Sequence, residues 1–503
     1  MDSDLSCYAQ NMAGDRHREM FRADPLLHDK TPANSLQNLE TAMAELLTPG
    51  DNYAQGLFLA GALCLFVHYM SFYILGRFLF GAPSIACLLS LLMGIAVWFN
   101  FGTFWGAGFS DPTPRVFFAA IWPSLLAGAL YALDRPRWRP PAMLACGACI
   151  YVHAISALDF GCMLFTAFLL RRADGMRRGA HLANLALSLA LFFIPVLFFL
   201  WPSLGQERAF TPEELTLFQE VFALRFREDH GDLLARLVSH IRFDSDTLPL
   251  FCGGIAGFAV TVRRGGEKAK KLASMYPGFL LGMAFFVLFS WLEPKIAPLW
   301  GRLPMGQEFV RGVRFLAPLS WLMILSAATC LWPRLHCGLR RLIVPAIVAG
   351  ILLASQDRWQ MAACYAFSQY TGFPTPLLEQ ARKKRERAES YRQALYALAD
   401  LAPPGSTVFG TSDNMAVRYQ ALRPLVYAFK DGSSYLYNKD AHGARFWLRT
   451  ADLVEQGTHG YIEAWKLSDA DWLLSDRPAD KALIELWGEI AWENQDWLVA
   501  RRR

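Results

Sequence analysis

Several charged side chains that could do chemistry stand just outside apolar runs of this sequence. Two carboxylates occur near the start, Asp2 and Asp4, and Asp111 lies between two apolar runs. A carboxylate at the edge of an apolar region can take a proton from an attacking hydroxyl or amine. Arg311 and Arg314 precede another apolar run at positions i and i+3, and a guanidinium fork suits a phosphate. The alternatives are solvated loop acids and interfacial arginines that extend toward water.

Polar groups also interrupt one long apolar stretch, residues 141–170. This stretch is too long for one membrane helix, and we predict two short helices that meet near His153 and Asp159. Polar groups at membrane depth are usually functional or paired with each other, and a mutual hydrogen bond or helix packing is the alternative. Cys146 and Cys149 form a CxxC nearby. A metal site needs a second ligand pair, so we interpret these thiols as small residues at a helix interface.

The elements that must position these groups are membrane helices. Of the 503 residues, 54% are hydrophobic and only 18% are charged, and the mean hydropathy is +0.22, which is too apolar for a water-soluble chain. Each membrane helix needs roughly 20 mostly apolar residues. Spans are predicted near residues 54–78, 82–104, 115–133, 183–202, 274–292, 315–333 and 341–357. The two short helices in 141–170 and a short run at 248–262 bring the total to about ten.

Clusters of basic residues predict the orientation of these spans, because cytoplasmic loops carry the excess of Lys and Arg. All four clusters fall on one side when ten spans are counted: residues 135–139, 171–178, 263–271 and 334–341. The opposite side then holds residues 1–53, the loop 106–114, the long loops 203–247 and 293–314, and residues 358–503. The net charge of +5 is mild, and the Lys and Arg cluster in short loops between apolar runs instead of forming one basic face, which argues against a nucleic-acid partner.

The N-terminal segment is unexpected for this topology. Residues 1–53 are polar, and no apolar helix or signal peptide precedes them to direct export. We therefore expect that a first helix is missing, that Met1 is an internal methionine, and that the natural start lies upstream.

The C-terminal part, residues 358–503, is predicted to be a small soluble α/β domain. A basic helical stretch leads to a turn at 403–405, and strands are predicted at 406–409, 424–428, 470–474 and 496–500, with helices at 441–456 and 480–489. The predicted fold class is therefore mainly α. It comprises an extracytoplasmic first loop (1–53), a polytopic helical membrane bundle (54–357) and a C-terminal extracytoplasmic α/β domain (358–503).

This organisation resembles the GT-C superfamily of polytopic glycosyltransferases that use polyprenyl-phosphate sugars, especially its uncharacterised bacterial members. In those enzymes the first outside loop begins with an Asp followed four residues on by an aromatic, and here Asp4 and Tyr8 stand in that relation. Asp111 falls in the second outside loop, where such enzymes often place another acid. Further similar pieces are LRFREDHGD with Arg225, Arg227 and His230, the group Gln307, Arg311 and Arg314 before a span, and RPLVYAFKDGSSYLYN at 423–438.

The resemblance implies transfer of a sugar from a polyprenyl-phosphate donor to an unknown acceptor, on the outer face of a bacterial inner membrane. Asp4 would be the base, with Asp2 and Asp111 as alternates. The residues expected to bind substrate are Arg311, Arg314, His230, Arg227, Gln307, Arg115 and His153. No cofactor is certain, and a divalent metal is possible but not supported, because Leu5 stands where many relatives have a second acid.

Two other kinds of function remain open. One is a non-catalytic polytopic protein, either a lipid-linked saccharide carrier or a partner in envelope assembly, which would keep the architecture without the chemistry. The other is a transporter, although the two halves of the sequence lack a corresponding pair of interrupted helices. A glycine-rich phosphate loop, a zinc-binding His-Glu helix and a nucleophile elbow are all missing from the sequence, which argues against nucleotide hydrolysis.

Overall fold

The computed structural model of the chain is mainly helical and divides into two compact units. It describes residues 3–28, 38–99, 103–107, 113–204, 210–226, 247–304, 306–334, 359–372, 375–411, 414–476 and 480–503. The terminal unit contains both ends of the chain and is made of Met1–Ala60, Phe210–Asp229 and Met361–Arg503. The membrane unit is made of Gly61–Ala209 and His230–Gln360.

Long apolar helices dominate the membrane unit. Its α-helices are Pro83–Met93, Pro114–Leu133, Arg139–Ala148, Ala154–Leu170, Arg178–Leu204, Thr247–Arg264, Glu267–Ile296 and Leu316–Leu331, and Tyr53–Phe80 enters it from the terminal unit. The 3-10 helices of this unit are Pro136–Trp138, Cys149–Tyr151, Ala297–Trp300, Gly306–Phe315 and Trp332–Arg334.

Five helices in the described part of the chain are long and apolar enough to cross a membrane: Tyr53–Phe80, Pro114–Leu133, Arg178–Trp201, Glu267–Trp300 and Glu308–Leu331. Only 22% of the most apolar window of Arg178–Trp201 is buried inside the protein, and Phe198 and Trp201 are exposed. Apolar surface of this extent is unfavourable in water, and a helix that hydrogen-bonds its own backbone can lie in lipid. The chain is therefore a multi-span membrane protein.

The structure differs from the predicted spans in one stretch, residues 82–104. The helix Pro83–Met93 has 11 residues, a rise of about 16 Å, which is well short of the roughly 30 Å of bilayer hydrocarbon. Strands β1 (Val97–Phe99) and β2 (Thr103–Trp105) then form an antiparallel pair. Gly106 follows with φ 138°, and a Cβ there would lie 2.7 Å from the carbonyl oxygen of Ile95, so glycine is required for this close return.

Two further predictions for the membrane unit agree with the structure, and a third concerns residues that lie outside the described part of the chain. The predicted break within 141–170 is observed, since Arg139–Ala148 and Ala154–Leu170 are separate helices joined by a 3-10 turn. The short run at 248–262 is the helix Thr247–Arg264. The predicted span 341–357 lies outside the described residues, and ten spans are not reached among those that are described.

Close packing at small residues holds the helix Ala154–Leu170 against Glu267–Ile296. A Cβ on Gly278 would lie 2.3 Å from the Cα of Ala167, and one on Gly282 would lie 2.5 Å from the Cα of Met163. Only glycine permits this approach, as is common where membrane helices pack tightly. The helix that begins just after His153 is therefore fixed in place.

The terminal unit contains a five-stranded sheet and short helices. Its strands are β3 (Val408–Gly410), β4 (Leu425–Tyr427), β5 (Trp472–Ser475), β6 (Gly488–Glu493) and β7 (Leu498–Arg502), in the order β4-β3-β5-β7-β6. β3 is parallel to β4 and β5, whereas β7 is antiparallel to β5 and β6. Its helices are Ser3–Arg16, Arg18–Phe21 (3-10), Leu39–Leu47, Pro212–Phe226, Trp359–Thr371 at the unit boundary, Pro376–Leu401, Ala416–Tyr419, Asp431–Tyr437, Ala441–Glu455, Thr458–Ser468 and Lys481–Glu485.

A small α/β fold was expected for the C-terminal part, and the four predicted strands correspond to β3, β4, β5 and β7. The predicted helix 480–489 is wrong in its second half. It ends at Glu485, and β6 follows, with side chains that alternate between more and less buried positions. That alternation is the period of a strand that has one face on a core.

One buried arginine joins the N-terminal segment to the C-terminal sheet. Arg418 donates from Nε and Nη2 to the carboxylate of Asp24 at 2.7 and 3.0 Å, and from Nη1 to Asp431 at 2.9 Å and Gln10 at 2.8 Å. Burial alone would lower the pKa of Arg418, but the two carboxylates raise it above its ordinary value. The guanidinium therefore stays charged, and the two ends of the chain share one core.

Candidate functional site

Four of the predicted site residues lie together in the membrane unit. Arg115 stands in the first turn of Pro114–Leu133, His153 is the N-cap of Ala154–Leu170, and Arg311 and Arg314 belong to the 3-10 helix Gly306–Phe315. Arg115 and Arg311 are close enough to Arg314 to repel it, and all three act electrostatically on His153. Positive charge is thus concentrated where the helices Pro114–Leu133 and Ala154–Leu170 begin and where the 3-10 helix Gly306–Phe315 ends.

Arg314 does not extend to water as an interfacial arginine would. Its side chain is 3% exposed, and Nη2 donates to the hydroxyl oxygen of Ser156. The amide of Ser156 donates to Nδ1 of His153 at 3.1 Å, and the Ser156 hydroxyl lies 2.8 Å from the same nitrogen. Because the amide and the guanidinium can only donate, the hydroxyl donates to Nδ1, and His153 carries its proton on Nε2.

Asp159 is the acidic residue next to Arg314. It is 1% exposed, and neither carboxylate oxygen has a hydrogen-bond partner among the residues that the structure describes. The alternative in which His153 and Asp159 share a hydrogen bond is not observed, since His153 pairs with Ser156 instead. A buried carboxylate without hydrogen bonds is costly. The guanidinium of Arg314 acts on it electrostatically, but the two side chains do not form a hydrogen bond or an ion pair in the described part of the chain.

The segment that carries Arg314 runs very close to Asp159. A Cβ on Gly312 would lie 2.8 to 3.0 Å from the three carboxyl atoms of Asp159, which is closer than real side chains approach. Glycine at this position therefore allows Gly306–Phe315 to bring Arg314 against the helix Ala154–Leu170.

A narrow cavity of about 10 Å³, roughly the room that one water molecule needs, adjoins Arg314. Its walls are Phe104, Trp105, Gly106, Arg115, Phe118, Ala119, Ser156, Arg314 and Phe315. The guanidinium carbon of Arg115 lies 4.3 Å from the ring centroid of Phe104, a cation–π contact, and its Nε donates to Thr113 at 3.0 Å. Guanidinium donors in an otherwise apolar wall suit an anionic group attached to an apolar chain.

Arg311 differs from Arg314 in its exposure and its partner. Nη1 of Arg311 lies 2.8 Å from a carboxylate oxygen of Glu308, and the two side chains are 28% and 17% exposed. This i, i+3 pair keeps the guanidinium oriented. An anion that binds Arg311 must therefore compete with Glu308.

For the other predicted site residues the structure describes no side chains. Asp4 lies in the helix Ser3–Arg16 of the terminal unit, and Gln307 lies in Gly306–Phe315, but their side chains are not described. Asp2, Asp111, Arg227 and His230 lie outside the described residues. In the described part of the chain, no group of three His, Cys, Asp or Glu side chains is placed to hold a metal ion.

Sequence reasoning noted Ser156 only as part of the polar interruption in residues 141–170, and it missed two other contributors to the cluster. Ser156 was signalled by its position three residues after His153, the spacing at which an N-cap side chain meets a backbone amide. Glu308 was signalled by the i, i+3 spacing to Arg311. The aromatic wall from Phe104 and Trp105 had no such signal, because the hairpin that brings it there was predicted as part of a helix.

The fold and this cluster define a multi-span membrane protein with a cationic, aromatic-lined cavity in its membrane unit. No family model matches the sequence, and no curated protein matches it. Among solved structures it is similar to two crystal structures of ArnT from Cupriavidus metallidurans, one bound to undecaprenyl phosphate and one in the apo state, with 14% and 12% identity and TM-scores of 0.44 and 0.35. Both alignments cover 99% of this chain and 93% of the other. At identities and TM-scores this low, we argue function from this chain's own residues.

Proposed function

We propose that this chain is a GT-C-type membrane glycosyltransferase that takes a sugar from a polyprenyl-phosphate donor. The observation that carries the proposal is the convergence of Arg115, Arg311 and Arg314 beside an aromatic-lined cavity in an apolar unit. A polyprenyl phosphate has the complementary chemistry, since its phosphate accepts guanidinium hydrogen bonds and its chain is soluble in lipid. The sequence resemblance around Asp4 and Arg423 to Asn438 supports the same class of enzyme.

In the proposed reaction, the acceptor attacks the anomeric carbon of the sugar in a single displacement. A bond forms between that carbon and the acceptor oxygen or nitrogen, while the bond from the carbon to the phosphate oxygen breaks. The electron pair leaves with the lipid phosphate, and the arginines stabilise its growing negative charge. The acceptor proton passes to a carboxylate, for which Asp4 is our first choice and Asp2 and Asp111 are alternates. The anomeric configuration inverts.

The remaining predicted residues would contact the donor or the acceptor. His153 could donate from Nε2–H, because its Nδ1 is already occupied by Ser156. Gln307, Arg227 and His230 belong to the same proposal through the sequence resemblance. We place the reaction on the outer face of a bacterial inner membrane, with the C-terminal domain on that side.

Binding of the lipid phosphate is the first test. The full chain in lipid nanodiscs is titrated with a labelled polyprenyl phosphate, and Arg311→Gln is compared with Arg302→Gln, which removes one exposed arginine from the neighbouring segment. A charge-assisted hydrogen bond contributes about 1.5–3 kcal/mol, so Arg311→Gln should weaken binding at least tenfold and Arg302→Gln should not. Equal effects of the two variants would contradict the phosphate site.

Chemistry is tested separately with a set of labelled polyprenyl-phosphate sugars. The full chain is reconstituted with total membrane extract so that native acceptors are present, and donor consumption is measured for the wild type and Asp4→Asn. The proposal expects consumption by the wild type, and binding without transfer by Asp4→Asn. Unchanged transfer in Asp4→Asn would exclude Asp4 as the base. Donor binding with no consumption of any sugar would favour the carrier over the enzyme.

A further inference from the structure

The helix Trp359–Thr371 carries aromatic side chains that no other described part of the protein covers. Tyr365, Phe367 and Tyr370 are 59%, 54% and 90% exposed. They lie in the aromatic stretch, residues 364–372, where no side chain is fully buried. The chain enters this stretch directly from the membrane unit, whose last residue is Gln360. Tyrosine and tryptophan are enriched at the level of lipid headgroups, where one end of the ring is apolar and the other is wet.

A basic stretch, residues 378–389, follows on the helix Pro376–Leu401. It contains five basic and three acidic residues, and its side chains from 382 to 389 are all exposed, so this part of the helix presents no apolar face to a core. A helix that is polar all round needs side-chain pairs or an outside partner. The pairs within the stretch are loose, with Lys383–Glu379 at 3.9 Å and Arg382–Glu386 at 3.6 Å, whereas its last acid, Glu389, pairs at 2.9 Å with Arg392 beyond the stretch.

Two basic residues in this stretch have no such pair. Lys384 and Arg385 are exposed and form no ion pair with any residue that the structure describes. Arg387 reaches Asp476 at 3.7 Å. The positive charge of the stretch is therefore only partly compensated within the protein, and the unpaired part stands at its centre.

The second half of the same helix, in contrast, is packed against the protein core. From Ser390 onward the helix buries Ala394, Leu395 and Leu398 against strands β6 and β7, and Ser390 accepts a hydrogen bond from Asn494 at 3.1 Å. The helix thus leaves the folded core at residue 389, on the side that leads back to the membrane unit.

We infer that the aromatic and basic stretches together form an interfacial anchor that binds anionic lipid headgroups. The aromatic rings lie at the headgroup level, and Lys384, Arg385 and their neighbours contact lipid phosphates. Basic residues that directly follow a membrane segment are attracted to anionic lipids, with about fivefold tighter binding for each residue near the surface. This inference does not depend on the proposed enzyme activity, because it concerns the bilayer that the protein already occupies.

Amide hydrogen exchange tests the anchor. The full chain is placed in nanodiscs of phosphatidylcholine with or without phosphatidylglycerol, and exchange is followed by mass spectrometry in peptides covering 364–372 and 378–389. Both stretches should exchange more slowly when phosphatidylglycerol is present. Raising the salt from 0.1 M to about 1 M shortens the screening length from roughly 10 Å to 3 Å, and should remove most of this difference.

Matched variants separate the basic contribution from a general effect of charge. Lys384→Gln with Arg385→Gln should lower the lipid-dependent protection by about an order of magnitude. The control is Arg445→Gln with Arg449→Gln, which removes the same charge from exposed positions of the terminal unit and should leave the protection unchanged. Tyr370→Ser should speed exchange in the aromatic stretch in both lipids, whereas Leu486→Ser, another exposed apolar position, should not.

Three results would overturn the anchor. Equal exchange in the two lipid mixtures would exclude recognition of anionic headgroups. Slow exchange that changes with neither lipid charge nor salt concentration would indicate a protein partner on this surface. An equal loss of protection in the control pair Arg445 and Arg449 would show that net charge, and not this stretch, governs the contact.

Discussion

At Gly312 the backbone approaches the buried carboxylate of Asp159 more closely than any side chain would allow. This approach brings the 3-10 helix Gly306–Phe315 against the helix Ala154–Leu170. Arg314 lies two residues further on, with its guanidinium held by Ser156. A glycine at position 312 is therefore needed for the observed position of Arg314.

We expect Gly312→Ala to destabilise the membrane unit by about 1–3 kcal/mol, the usual cost of inserting a carbon atom into a packed site. The matched control is Gly128→Ala in Pro114–Leu133, where an added Cβ would meet no atom within 4 Å. Alanine there should be neutral or stabilising by up to about 1 kcal/mol, because it favours helix. Thermal unfolding in detergent measures both variants, and equal melting temperatures would contradict the close approach.

At the scale of elements, the helix Pro376–Leu401 combines two surfaces of different character. Its first half is polar on every side, and its second half packs on the sheet, where the rings of Tyr391 and Trp497 lie 4.5 Å apart. One continuous helix therefore connects a core contact to a stretch that we assign to the membrane surface.

Two leucines on this helix test the division. Leu398→Ala removes a fully buried side chain and should cost about 2–5 kcal/mol, whereas Leu401→Ala, at a position that is 43% exposed, should cost well under half of that. Amide exchange in β6 and β7 reports the stability of the sheet directly. If both variants speed exchange equally, the second half of the helix is not packed as described.

At the scale of the whole molecule, the two ends of the chain fold together. Asp24 and Arg418 are 394 residues apart in sequence and form a buried, doubly hydrogen-bonded pair. Gln10 contacts the same guanidinium and lies on the helix Ser3–Arg16, which also contains Asp4. The position of the proposed base is therefore coupled to the C-terminal sheet.

Removing this arginine should release the N-terminal segment. Arg418→Met leaves two buried carboxylates without their partner, and breaking a buried ion pair typically costs about 3–5 kcal/mol. Brief digestion with trypsin should then cut at Arg16, Arg18 or Arg22 much faster than in the wild type. Arg445→Met, which changes an exposed arginine of the same unit, is the control, and similar cleavage rates in the two variants would contradict the coupling.

The sequence by itself determined the classes of element, because they depend on local composition. Apolar length predicts membrane helices, and short β-branched or aromatic runs predict the strands of the tail, so the broken stretch 141–170 and strands β3, β4, β5 and β7 were predicted from the sequence. Hydropathy averages over a window, however, and does not distinguish an aromatic hairpin from a helix. The hairpin at Val97–Trp105 was therefore predicted as the end of a span.

Tertiary structure alone decided which charged residues are buried. From the sequence, Arg314 is expected to be an interfacial arginine. It is buried because the helix Ala154–Leu170 offers the Ser156 hydroxyl as a hydrogen-bond acceptor and places Asp159 nearby. Arg418 gave no signal at all, since its partners Asp24 and Gln10 lie at the opposite end of the chain. The sequence shows that a charged residue is present. Whether that residue can be buried depends on hydrogen-bonding partners that only the fold brings close to it.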